Sequence, residues 1–232
     1  MNQTSEKTLR VELHCHTIVS HDSLMTPKKL LARCDQIGID KVAITDHNSV
    51  DAAMACAEVH PERVIVGEEI QTNEGEILGY FMSEWVPPGL SPMETIQRLR
   101  DQGAVISIPH PFDPYRGNNW QDGTLQAIAP YVDAIEIFNA RCMTNEPNQQ
   151  AAAFAGANHL LPTVGSDAHC VWELGRATLN LPDFNDAASF KDALRNGQPL
   201  TNLSSFFVHL YSRFATIWKD ISNKATFDGT CE

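Results

Sequence analysis

Short β-branched runs alternate with segments of helical spacing along most of the chain, and that alternation leaves few folds open. The runs lie at 11–14, 41–45, 63–70, 104–109, 133–138 and 163–166. Near-continuous apolar runs of this kind read as buried parallel strands, which need helical crossovers between them. Local signals mark several boundaries. Thr26 stands as an N-cap before Pro27, and Gly38 stops the same helix. Ser91 with Glu94 forms a capping-box signature ahead of a helix that Gly103 ends. One connection breaks the pattern: QTNEG (71–75) is too short for a parallel crossover, so the runs flanking it predict a hairpin. The expected architecture is a single α/β domain over residues 1–232, a barrel distorted by a hairpin near strands three and four. Its motif-bearing core spans 9–180, and a helical C-terminal segment spans about 186–222. There FFVHLYSRFATIW (206–218) reads as a helix covering the barrel in preference to a dimer surface.

In a strand, residues two apart share a face. His14 and His16 of HCHTIVSHD (14–22) can therefore address one ion from the end of the first strand. The same chemistry returns at later strand ends: Asp46 and His47 in ITDHN, Glu68 and Glu69 in VGEEI, and His110 in SIPHP. Asp167 and His169 follow in GSDAH, and the hairpin brings Glu76 back to the same end. Histidines satisfied independently in a core would not keep falling at that end, where barrel enzymes gather their catalytic groups. Glu136 and Asn139 also end a strand, and Glu136 reads as a group that orients a ligand. His60, His159 and His209 lie on or near helical patterns and are left out of the site.

With 17 Lys and Arg against 29 Asp and Glu, the net charge of −12 disfavours a sequence-independent grip on nucleic acid. A small anionic substrate remains compatible, because bound divalent cations reverse the sign of a local site. No apolar run approaches the ~20 residues of a membrane span, and residues 1–10 contain no apolar signal core. None of the six cysteines forms a CxxC pair. The expectation is a cytoplasmic protein with reduced thiols and no membrane partner.

HCHTIVSHD, ITDHN, GEEI, PHP and GSDAH resemble, in order and spacing, the polymerase and histidinol phosphatase (PHP) family, over about residues 9–180. The resemblance implies a distorted seven-stranded α/β barrel, up to three divalent ions and hydrolysis of phosphate esters. It implies ligand roles for His14, His16, His47, Glu69, His110, Asp167 and His169. Two positions depart from the family pattern. The aspartate that often follows the first motif is replaced by His21, taken as the ligand, with Asp22 as the alternative. Glu76 stands where the family often has histidine, and is taken as a ligand or bridge.

Mixed imidazole and carboxylate donors suit two or three Mn²⁺, Fe²⁺ or Zn²⁺ ions. A metal-bridged hydroxide would then attack phosphorus. Arg116 and Arg141, each shortly after a site-bearing strand, are expected to grip phosphate oxygens. Asp46 is expected to hydrogen-bond a ligating imidazole, and activity to fall below the ordinary histidine value of ~6.5. The leading reading is hydrolysis of a small phosphorylated metabolite or nucleotide. The alternatives are a 5′→3′ exonuclease on short oligonucleotides, a histidinol-phosphate phosphatase and a non-catalytic metal-stabilised module. An amidohydrolase is disfavoured, since no lysine that could bridge two ions lies between Lys41 and Lys191.

Overall fold

The computed structural model describes residues 8–121, 123–222 and 227–231; most of the N-terminal stretch read above as lacking a signal lies outside them. Strands β1 (Thr8–Glu12), β2 (Lys41–Ile44) and β3 (Val64–Gln71) run parallel, joined by helices α1 (Pro27–Ile37) and α2 (Asp51–Val59). β4 (Glu76–Tyr80) returns antiparallel to β3, so the short connection is the hairpin the sequence predicts. β5 (Val105–Ile108), reached through α3 (Pro92–Asp101), is antiparallel to β4. β6 (Ala134–Asn139) and β7 (Leu161–Gly165) restore the parallel order by way of α4 (Thr124–Ile128) and α5 (Glu146–Asn158).

Beyond β7 the chain returns to β1: the His16 amide donates to the Ala168 carbonyl at 2.8 Å, and Cys15 faces Ala168 in a parallel bridge. The barrel thus nearly closes at the C-terminal ends of its strands. At the other end β1 pairs antiparallel with β8 (Ala177–Pro182), which pairs with β9 (Gln198–Thr201) after α6 (Ala187–Leu194). β8 alternates, with Ala177, Leu179 and Leu181 buried, whereas β9 has little apolar signature. β9 is a mostly exposed edge strand carrying Pro199, the position where a strand tolerates proline.

The caps are as expected. Thr26 accepts from the Lys29 amide, Gly38 ends α1 with φ 69°, and Ser91 and Glu94 form a reciprocal capping box on α3. Leu9, Val11, Tyr80, Val105, Val164 and Leu179 share one buried cluster, and two further clusters lie under the helices. Helix α7 (Phe207–Ser222) buries Val208, Ser212 and Ala215. No helix among the described residues is long and apolar enough to cross a membrane. The expectation that all thiols are reduced is corrected. Cys56 on α2 and Cys231 near the C-terminus form a disulfide across 175 residues, their Cα atoms 5.0 Å apart. Such a pairing leaves no trace in local spacing. Cys15, Cys34, Cys142 and Cys170 are free and buried.

Candidate metal centre

Each barrel strand delivers its polar residue to the same mouth, and the donor atoms converge. Glu69, at the end of β3, is the hub. One of its oxygens lies 3.2 Å from His14 Nε2, 3.3 Å from His16 Nε2 and 3.1 Å from His47 Nδ1; the other lies 2.8 Å from His110 Nε2. Asp167 Oδ1 stands 3.3 Å from His16 Nε2 and 3.7 Å from His14 Nε2. Glu76 approaches His110 at 3.7 Å from the hairpin. The sets His14–His16–Glu69, His14–His110–Asp167, His47–Glu69–Glu76 and His16–His47–His169 each place three donor atoms within 4.8 Å of one another.

Two protons can be placed from the partners. His14 Nδ1 meets a Glu136 oxygen at 3.0 Å, so that nitrogen donates and Nε2 is the atom turned to the cluster. Gly165 makes this contact possible: a Cβ there would sit 2.1 Å from the same Glu136 oxygen and 2.4 Å from His14 Cβ. His16 Nδ1 meets Ser20 Oγ at 3.2 Å, and that hydroxyl donates to Asp46 at 2.6 Å while accepting from the His47 amide at 3.0 Å. The hydroxyl's one hydrogen is thereby committed, so His16 too donates from Nδ1 and turns Nε2 toward the cluster. At His169 Nδ1, the Asp167 carbonyl at 2.8 Å and the Arg141 guanidinium make opposite demands. The carbonyl contact is the one that leaves Nε2 free to coordinate.

The residues fit divalent ions on an observation of their own. His14 Nε2, His16 Nε2, His169 Nε2, Glu69 Oε2, Asp167 Oδ1 and Asp22 Oδ1 are buried without a hydrogen-bond partner, although they face one another. Unpaired buried polar atoms are costly, and cations held between them would satisfy all six. Backbone geometry supports a built site: Asp167 (φ 51°) and His110 (φ 27°) both occupy the left-handed region that non-glycine residues avoid.

Electrostatics divide the cluster. Burial alone would raise Glu69, but the imidazoles of His14 and His47 hold it well below the usual carboxylate range. Asp167 is likewise pulled down against its burial, by Arg116 and then His14. His16 is lifted to about 9 by Asp167 and Glu69 against its own burial. His169 falls to about 3, with burial outweighing Asp22 and Arg141 adding to the depression.

Several sequence expectations change. His21 is exposed, its ring 5.4 Å from that of His47. Asp22 is the inward neighbour, 2.9 Å from His169 Nε2 and 3.8 Å from His47 Nε2. Asp46 touches no imidazole; it accepts from the amides and hydroxyls of Thr17 and Ser20 and so braces the loop that carries His16. Arg141 is buried, donating to the Val208 carbonyl and to Ser212 on α7 at 2.8 Å, with Glu173 at 3.4 Å. Its guanidinium is bonded into the protein, and Arg141 also lines the cleft that Arg116 borders. Arg116 pairs with Asp113 and Asp167 but lines an open cleft of about 280 Å³ with Asp22, Tyr115 and His209. His209, set aside in the sequence for its helical context, reaches this cleft because α7 crosses the barrel mouth.

The sequence profile of the PHP domain matches residues 12–132, and that of a PHP-associated region matches 145–199. An uncharacterized protein of Methanocaldococcus jannaschii is 38% identical over 181 residues, which cover 76% of this chain and 72% of that protein. A 5′-3′ exoribonuclease of Haemophilus influenzae is 32% identical over 122 residues, 46% of this chain and 44% of that one. Among solved structures, a two-domain protein from Bacteroides vulgatus containing a predicted PHP-like metal-dependent phosphoesterase superposes with a TM-score of 0.69. That match has 16% identity over 90% of this chain and 70% of the other, a likeness of fold. The barrel, the polar cluster at its mouth and the profile match together make this chain a member of the PHP domain family.

Proposed function

We propose that the protein is a metal-dependent phosphoesterase that hydrolyses a small phosphorylated metabolite or nucleotide. The observation that carries this reading is the set of six unpaired buried donor atoms beside a cleft lined by Asp22 and Arg116. His14, His16, Glu69 and Asp167 would hold one ion. Glu69 would be shared with a second, held by His110 and Glu76, while His47, His169 and Asp22 would hold a third. Bound there, divalent ions supply an activated water and neutralise phosphate charge. The mixed nitrogen and oxygen donors suit Mn²⁺, Fe²⁺ or Zn²⁺.

The chain's own groups do the rest. Glu136 and the Asp46–Ser20 pair hold the rings of His14 and His16 with their Nε2 atoms forward. Arg116, partly exposed at the cleft, is placed to bind a phosphate oxygen, and Tyr115, 76% exposed, offers a flat face to an organic moiety. The exoribonuclease relative favours a second reading, cleavage of short oligonucleotides from the 5′ end. The net charge of −12 weighs against long nucleic acid.

Turnover of a chromogenic monoester and diester by Mn²⁺-supplied protein tests the proposal, with Asp167→Ala as the control for a contaminating phosphatase. Monoester turnover points to a metabolite phosphatase, and diester turnover to nucleotide or oligonucleotide chemistry. Metal-loaded protein that hydrolyses neither would leave a metal-stabilised module as the better account.

A further inference from the structure

Helix α7 turns a partly polar side to the barrel and an apolar side away from it. Toward the barrel it sets Val208, Ser212 and Ala215, together with Lys219, whose ammonium donates to the Ser20 carbonyl at 2.6 Å. Facing away stand Phe207, Leu210, Phe214, Ile217 and Ile221, exposed by 74, 50, 54, 55 and 79%. Their spacing runs three, four, three, four, the a and d positions of successive heptads. A helix that only covered a barrel would turn such a stripe inward. This one does the reverse.

With Trp218 beside it, the seam presents roughly 700 Å² of surface, taking ~200 Å² for a large aromatic side chain and somewhat less for an aliphatic one. That exceeds the ~300–600 Å² of the largest apolar patch on a typical monomer. It approaches the ~800 Å² that each partner contributes to a standard interface.

We propose that a second copy of this chain covers the seam, the two α7 helices packing antiparallel about a two-fold axis. The flank of the helix identifies the partner. Arg213, at the edge of the cleft that Arg116 lines, and Asp220, seven residues on, occupy the same flanking position of successive heptads and carry opposite charges. In an antiparallel pair that flank meets its own copy. An axis between Phe214 and Ile217 pairs those two residues across the interface, pairs Leu210 with Ile221, and brings each Arg213 toward an Asp220. The surface is thus complementary to itself, as a two-fold interface requires. A bilayer fits less well. Membrane-surface helices carry many cations on their polar face, whereas α7 has Arg213 and Lys219, the latter bonded into the protein, on a chain of net charge −12. Pairing would also steady the site, because the inner side of α7 holds Arg141 through Ser212 and the ligand loop through Lys219.

Sedimentation velocity on the full chain over a dilution series tests this. The wild type should sediment as a dimer of the 25.7 kDa chain. Phe214→Glu and Leu210→Lys should each raise the dimer Kd at least tenfold with unchanged circular dichroism. Arg213→Glu should weaken the dimer, and Arg213→Glu combined with Asp220→Arg should restore it. A wild type that stays monomeric at every concentration would overturn the proposal, as would a dimer indifferent to both seam variants. Failure of the charge swap to restore pairing would overturn the antiparallel arrangement. A monomer that co-sediments with phosphatidylcholine vesicles would replace the second copy with a membrane.

Discussion

Glu68 and Glu69 are adjacent on β3 and both fully buried, yet their surroundings give them opposite protonation states. The alternation of a strand sends Glu69 into the barrel mouth among four imidazoles, where it is held ionised. It sends Glu68 the other way, where its one hydrogen bond comes from the Val86 amide at 3.1 Å. Burial there, with Asp51 adding to it, pushes the acid up to about 8. Burial alone therefore does not mark a ligand. Partners do: one carboxylate sits among imidazoles and the other meets a backbone amide and a nearby aspartate.

Removing charge from the hub should have the largest effect. Glu69→Gln removes the negative charge shared by the imidazoles, and metal affinity and turnover should both fall by more than the ~10–100-fold typical of an outer partner. Equilibrium dialysis with metal analysis reads the first, and ester hydrolysis the second.

An intermediate effect is expected one layer out. Glu136→Gln and Gly165→Ala both disturb the carboxylate that orients His14, the second by driving a methyl group into it. Each should weaken metal binding ~10–100-fold while the far-ultraviolet circular dichroism stays native, as calorimetric titration with Mn²⁺ would show.

The pH profile probes the same contrast. His16 is lifted to about 9, so below that value a proton occupies the cluster and must leave when metal binds. Mn²⁺ affinity should therefore rise with pH up to about 9, with proton release detectable from the buffer dependence of the binding enthalpy. A flat profile between pH 6 and 9 would contradict the assigned environment of His16. The onset thus lies above the ordinary histidine value anticipated from the sequence.

On the other side of the strand the effect is one of stability. The folded state raises Glu68, so its contribution is fully present below about 4.5 and is lost as pH climbs through about 8. Glu68→Gln removes that loss. Its stability advantage over the wild type should grow between those values to something on the order of a few kcal/mol, since each tenfold change in proton affinity is worth about 1.4 kcal/mol. Chemical denaturation at pH 5 and pH 8.5 reads the difference, and metal binding should not change.

Much of this organisation was legible because strand ends are local. His14, His16, Glu69, His110 and Asp167 each follow an apolar run, and a parallel barrel carries such positions to one mouth. The hairpin was legible from its length, and the helix caps from their residues. Side-chain direction was harder. Asp46 precedes His47, but the strand turns it toward Thr17 and Ser20. Asp22, and not His21, faces the imidazoles of His169 and His47 because the loop after β1 turns only one of the two inward. Arg141 looks available in the sequence because the helix that occupies it lies about 70 residues further on. The Cys56–Cys231 bond and β9 depend on long-range contacts that no local pattern encodes, whereas β8 carries an alternation, Ala177, Leu179 and Leu181, that the expected strands leave out.

The most direct test of the central claim is the number of divalent ions bound per chain, measured by metal analysis after dialysis against Mn²⁺ for the wild type and Glu69→Gln in parallel. Two or three ions in the wild type, lost in the variant, are predicted from a carboxylate shared between subsites. A wild type that retains no ion, or a variant that retains them all, would contradict the reading of this cluster as a metal centre.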